Sequence, residues 1–445
     1  MPRARTSASF TGKVTIKNDI TTLYKEKNMN KIVYIFLIAI LLPIKTLAQR
    51  NEIYNDRIAS LQVVAGENWL LPPIIKLHSM SDANYIHISF DDLTHVYHRY
   101  TYTIEHCESD WTVSDELFSS DYVEGFAEGN TIDDIEESLN TNILYNHYSL
   151  TIPNNYCRLK LSGNYKVTVY DDNADREPMF TACFMVVEPQ MGVSLEVTTN
   201  TDIDINNSHQ QVNMIVNYNG MTIHNPRDQI KTVVTQNQRW DNCKINAVPQ
   251  YIMHDGLRWE HNRELIFDAG NEYHKYEILD VHHPTMGIDY LEWDGENYNV
   301  YPFSSKERLN YIYDEDANGA FYIRNSDNIE NDRTSEYVLV HYTLYCPQKV
   351  SGDVYIDGVW TNNRFLPKYK MEYNEEKGCY EAVVMQKQGY YSYQYIMLDE
   401  RGVSRIMPTE GSYYQTENSY QAYVYYKGQG ERYDRLVGYQ NVQYK

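Results

Sequence analysis

The sequence predicts an all-β protein built of tandem immunoglobulin-like β-sandwich domains, with few or no long helices. Three observations carry that reading. From residue 57 onward, apolar and polar residues alternate in short runs bounded by turn residues, which is the period of a strand with one buried face. Turn chemistry recurs between the runs, as in Asp357-Gly358 and Lys377-Gly378. The chain also carries 43 tyrosines, and tyrosine suits a pleated surface that is apolar on one side and wet on the other.

Residues 29–48 (MNKIVYIFLIAILLPIKTLA) have the parts of a secretory signal peptide: a short polar start with Lys31, an apolar run over 32–42, and small residues near Ala48 where a peptidase can cut. Gln49 rather than Cys follows, so no lipid anchor is expected. Residues 1–28 read as a mis-assigned N-terminal extension, with Met29 as the true start. The whole chain has a formal charge of −22, and residues 1–48 hold eight basic and two acidic residues, so the exported part is more acidic still. A body of that charge repels phosphate backbones and anionic headgroups, which disfavours nucleic acid and membrane surfaces as partners. After residue 48 no apolar run approaches the length of a membrane span, and no direct membrane insertion is predicted.

The remainder divides into three blocks. Residues 57–188 predict a first β-sandwich, with strands at 85–90, 100–104 and 149–152 and a long-looped hairpin formed by 164–170 and 180–188. Residues 189–335 predict a second β domain. Residues 336–430 give the clearest pattern, an immunoglobulin-like C-terminal domain with strands at 337–345, 353–356, 371–373, 379–386 and 390–398. A short stretch over 132–139 is the one helical signal.

Between Arg99 and Arg158 there is no Lys or Arg, while twelve acidic residues run from Glu105 to Glu137. Predicted strands bracket this segment, so it reads as a long acidic loop, and loops of that length inside a compact domain are usually functional. Trp111, Phe118, Tyr122 and Phe126 lie within it and are the candidate partner-binding residues. Aromatic rings would anchor a partner and carboxylates would steer it. The competing reading folds Trp111 and Tyr122 into the core and leaves the acidic residues merely solvated.

No catalytic, cofactor or metal residues are predicted. Asp314-Glu-Asp-Ala-Asn-Gly319 matches the first half of a calcium loop, but the twelfth position is Asn325 rather than a bidentate carboxylate. Asn318-Gly319 between apolar runs predicts a β-hairpin joining 311–313 to 321–324 instead. His254, His261, His282 and His283 form no helix-borne metal pair. The phosphate-loop, dinucleotide and nucleophile-elbow glycine patterns are absent. Six scattered cysteines occupy no metal-ligand spacing, and buried thiols are at least as expected as disulfides. Trp240, Trp259, Trp293 and Trp360 leave open an alternative, an envelope polysaccharide-binding protein that presents Trp360 and Tyr391 to sugar rings.

An ordered series of short strings goes beyond pattern. Cys107-Glu-Ser-Asp-Trp111, Tyr122-Val-Glu-Gly125, Tyr145-Asn-His-Tyr148, Pro153-Asn154, Ser162-Gly-Asn-Tyr165, Arg239-Trp-Asp-Asn242 and Ala269-Gly-Asn-Glu272 follow one another along the chain. The series resembles the type IX secretion system plug protein family over residues 57–430. That resemblance implies a periplasmic, non-enzymatic protein with a signal peptide. It implies as partner the outer-membrane type IX translocon barrel (SprA family), whose periplasmic opening the protein caps when no substrate is present.

Overall fold

The structure, a computed structural model, describes residues 51–445. The expected extension and signal peptide lie outside the described residues. The all-β expectation holds: strands dominate, and the helices are single turns such as Ser119–Tyr122, Pro226–Gln229 and Asn331–Thr334. Among the described residues no helix is long and apolar enough to cross a membrane.

The alternating runs pair as their periodicity implies. In the first sandwich, one sheet runs Glu52–Ile53, Glu177–Val187, Gly163–Asp171, Tyr100–Cys107, Glu128–Thr131. The facing sheet runs Ile58–Ala65, Ile86–Asp92, Asn146–Ile152, Asp134–Glu137. Aromatic rings fill the space between them. Phe90 stacks on Tyr148 at 5.2 Å and meets Phe180 edge-on at 4.7 Å, and Tyr165 stacks on Phe184 at 5.4 Å.

A second pair of sheets encloses Met214, Trp259, Tyr420 and Val424. One is built on Gly192–Thr198 and His209–Asn217; the other runs Arg239–Ile245, Ile230–Gln236, Asn418–Tyr426, Arg435–Tyr444. Residues 418–426 were expected to belong with the C-terminal block 336–430. They hydrogen-bond instead to Ile230–Gln236, with Tyr426 opposite Ile230 and Tyr420 opposite Gln236. Local alternation defines a strand, but it does not say which distant strand completes the sheet.

Ten of the remaining strands form one sheet that bends round a tyrosine-rich core of Tyr276, Tyr342, Tyr391, Tyr393 and Tyr395. Within it, Tyr337–Tyr345 and Cys379–Lys387 pair along their full length. The hairpin expected at Asn318-Gly319 is absent. The tight turn exists, with φ of 50° and 86° at those residues, but 311–313 is not a strand and Phe321–Ile323 pairs with Gly389–Leu398.

Buried side chains pin these groups together. Trp111 and Met185 pack against Trp240, Tyr423 and Tyr425. Arg239 reaches both Asp241 at 2.5 Å and Asp357 at 3.8 Å, well inside the protein. Lys387 Nζ lies 2.6 Å from Asp91 Oδ2, and the same carboxylate takes hydrogen bonds from Tyr337 and His147. Burial alone would raise the Asp91 pKa, but the Lys387 and His147 charges hold it below the usual range. Charges buried to this degree persist only when paired, so each pair fixes one relative placement of the strands that carry it.

Candidate partner-binding surface

The acidic segment begins where Tyr100–Cys107 ends. Glu108 to Trp111 form a tight turn in which Trp111 N donates to Glu108 O at 2.9 Å and Trp111 takes a φ of 68°. The turn is held from two directions. Lys166 Nζ donates to Trp111 O at 2.7 Å, and Ser109 donates twice to Asp434 Oδ2, at 3.0 Å from N and 2.7 Å from Oγ. Asp434 is buried, which opposes its ionisation, yet the Lys231 ammonium and the Ser109 donors keep its pKa below the usual range. This turn drives the Trp111 ring into the core, 5.7 Å from Trp240 and perpendicular to it.

The next residues form a helical turn, Ser119–Tyr122, with Phe118 at its N-cap position. Asp121 accepts from Phe118 N and pairs with Arg432 at 2.9 Å. Tyr122 turns inward and its hydroxyl donates to Ile104 O at 3.2 Å. Val123–Gly125 then pairs with Cys157–Leu159, and Gly125 has a φ of 105° with Tyr156 O where a Cβ would sit. Only glycine fits there.

The four candidate residues therefore part company. Trp111 and Tyr122 are core residues, which corrects their assignment as exposed anchors. Phe118 is 75% exposed and Phe126 is 66% exposed, and these two rings do face solvent. The segment is also far less loop-like than expected. Glu128–Thr131 is an edge strand of one sheet, and Asp134–Glu137, where a helix was expected, is an edge strand of the other. This gives the acidic residues a physical role: carboxylates along an edge strand discourage pairing with the strand of another chain.

The rings proposed for sugar binding, Trp360 and Tyr391, are buried, with Trp360 Nε1 donating to Ser392 O at 3.2 Å. Trp293 is exposed, beside Tyr298 at 4.6 Å. Cys107, Cys157, Cys346 and Cys379 are buried free thiols, and burial pushes both Cys107 and Cys157 up to about 12. Among the described residues, no three His, Cys, Asp or Glu side chains are grouped to hold a metal ion.

One exposed segment was given no binding role by the sequence, which marked part of it, 311–313, as a hairpin strand. Residues 303–320 cross the end of the 10-stranded sheet without forming a strand, and they carry the exposed side chains of Leu309, Ile312 and Tyr313. The signal lay in the string Leu309-Asn-Tyr-Ile-Tyr313, an apolar run between charged residues that fits no alternation completing a sheet.

Fold and surface together define a protein of several fused β-sandwiches whose exposed features are rings and carboxylates on edges and crossings. Comparison with known proteins narrows this further. Residues 58–188 match the family model described as the type 9 secretion system plug protein 1st domain. The crystal structure of a hypothetical protein from Parabacteroides merdae ATCC 43184 is similar over 89% of this chain and 99% of that one, with 39% sequence identity and a TM-score of 0.85. The major pilin subunit BcpA of Bacillus cereus is 8% identical over 64% of this chain and 69% of its own, but its TM-score of 0.15 carries no weight. No curated protein matches the chain. By that match, residues 58–188 form a first domain of the type IX secretion system plug protein family.

Proposed function

We propose that the protein is a non-enzymatic periplasmic component of the type IX secretion system that closes the periplasmic opening of the outer-membrane translocon barrel when no substrate occupies it. The observation that carries this reading is the family match over residues 58–188, the first sandwich with its acidic edge. The packing supports it. A stopper must hold its shape against a wide opening, and the buried pairs Lys387–Asp91 and Arg239–Asp357 tie the sheets into fixed relative positions. The work is done by a surface, and a stable contact of this kind buries at least about 1,000 Å². Phe118 and Phe126 are the rings of the acidic segment available to it. The neighbouring carboxylates set the association rate and its salt dependence more than the affinity.

The test is co-purification from cells that carry a tagged translocon barrel, together with uptake of a large antibiotic normally excluded by the outer membrane. The protein is expected to elute with the barrel, and its deletion to raise uptake. Absence from the eluate with unchanged uptake in the deletion strain would remove the proposal.

A further inference from the structure

We infer that the crossing segment 303–320 is a preformed protein-docking element whose Leu309 and Ile312 side chains enter an apolar pocket with a basic rim on the partner translocon. The inference rests on the proposed function for the identity of the partner, and it assigns a contact surface outside the acidic segment.

The segment has no strand partners along most of its length, yet it is anchored at intervals by side chains. Arg308 pairs with the buried Glu410 and donates to Glu272 O at 2.6 Å, while its own backbone N donates to Thr409 O at 2.8 Å and its carbonyl accepts from Tyr413 at 2.7 Å. Tyr311 donates to Glu272 Oε1 at 2.6 Å. Lys275 holds Asp314 at 2.6 Å, and Asp316 accepts from the backbone of Tyr273 and, at 2.6 Å, of Asn318. The calcium-loop-like string thus anchors the segment.

Between the anchors at 308, 311 and 314 the side chains turn outward. Leu309 is 73% exposed and Ile312 is 76% exposed, with the exposed Tyr313 alongside. Large aliphatic side chains held this far into water by a rigid frame lose little further freedom on binding, which is what makes a preorganised anchor effective. A flexible loop with the same residues would fold them back.

Charge identifies the occupant. Glu307, Glu315 and Glu417 flank the apolar tip, Arg308 is neutralised by Glu410, and Asp314 and Lys275 neutralise each other. Besides Arg308, Lys306 is the segment's other cation. A second copy of this acidic chain would bring like charges together, whereas a basic rim on a different protein complements them.

The experiment measures binding of the full-length mature protein to the purified barrel in detergent by biolayer interferometry, for wild type, Leu309→Ser/Ile312→Ser and, separately, Glu307→Lys. Thermal melting is recorded for each. The double variant is expected to lose at least tenfold in affinity with unchanged melting. Glu307→Lys is expected to slow association severalfold, most at low salt. Double-variant binding within twofold of wild type overturns the inference while leaving the proposed function standing. Wild-type protein that fails to bind overturns both. Self-association of wild type that the double variant abolishes would assign the tip to a second copy and also overturn it.

Discussion

The acidic segment 105–140 and the crossing segment 303–320 look alike in sequence and behave oppositely in the fold. Both are charged, both contain several rings, and neither alternates cleanly. The first is strand over less than half its length, but those strands border two sheets, and it sends Trp111 and Tyr122 into the core. The second makes almost no strand, yet its backbone is fixed by Arg308, Tyr311, Asp314 and Asp316, and its aliphatic side chains point outward. What separates them is the supply of partners. Where unpaired sheet edges were available, acidic residues became strands against their propensity. Where none was available, side-chain hydrogen bonds took the place of a ladder, and the apolar residues between anchors had no core to enter.

Four measurements sharpen or break this contrast. The largest effect belongs to Trp111. Replacing it by Ala empties a buried site against Trp240, and denaturant unfolding is expected to show a loss of about 3–5 kcal/mol. A loss below about 1 kcal/mol would place the ring outside the core. Arg308→Met comes second. It leaves Glu410 buried with His274 as its remaining ionic partner, and the expected cost is about 2 kcal/mol, the scale of a hydrogen bond to a charged group. Hydrogen exchange over 309–316 should rise in the same variant; unchanged protection would show that the crossing segment is held some other way.

The third effect is a pH slope. Burial, aided by the nearby Glu272 charge, pushes Asp316 up to about 7. Its unfolded pKa is about 3.9, so the folded protein binds this proton more tightly across the interval between. Its contribution to stability is therefore full below about pH 4 and declines as pH rises through about 7. Asp316→Asn should remove that slope, so its melting temperature relative to wild type should climb between pH 5 and pH 8. A flat difference would rule out the buried carboxyl as its source. The smallest effect is at Phe118 and Phe126. Both rings are exposed, and replacing either by Ser should change stability by no more than about 0.5 kcal/mol. A larger loss would make them core residues like Trp111.

How far the sequence reached follows from the same contrast. Alternation located Ile86–Asp92, Tyr337–Tyr345 and Gly389–Leu398 to within two residues, because each has one face in a core. It did not find Glu128–Thr131 or Asp134–Glu137, whose strand character comes from the neighbour and not from their own residues. It could not tell that residues 418–426 close a sheet begun near residue 230, since that pairing spans nearly half the chain. The candidate site was half legible. Charge and ring content located the acidic segment, but the positive φ at Trp111 and the inward turn at Tyr122 depend on Lys166, Asp434 and Ile104, which are remote in sequence or invisible to a local pattern.

The central claim is that this rigid β-protein closes an opening, and conductance reads that directly. The purified translocon barrel would be reconstituted in a planar bilayer, and ionic current recorded before and after the mature protein is added to the periplasmic face. The account predicts a large open-channel current that falls when the protein is added and returns when it is washed out. Current that is unaffected by saturating protein, under conditions where binding to the barrel is independently measured, would contradict it.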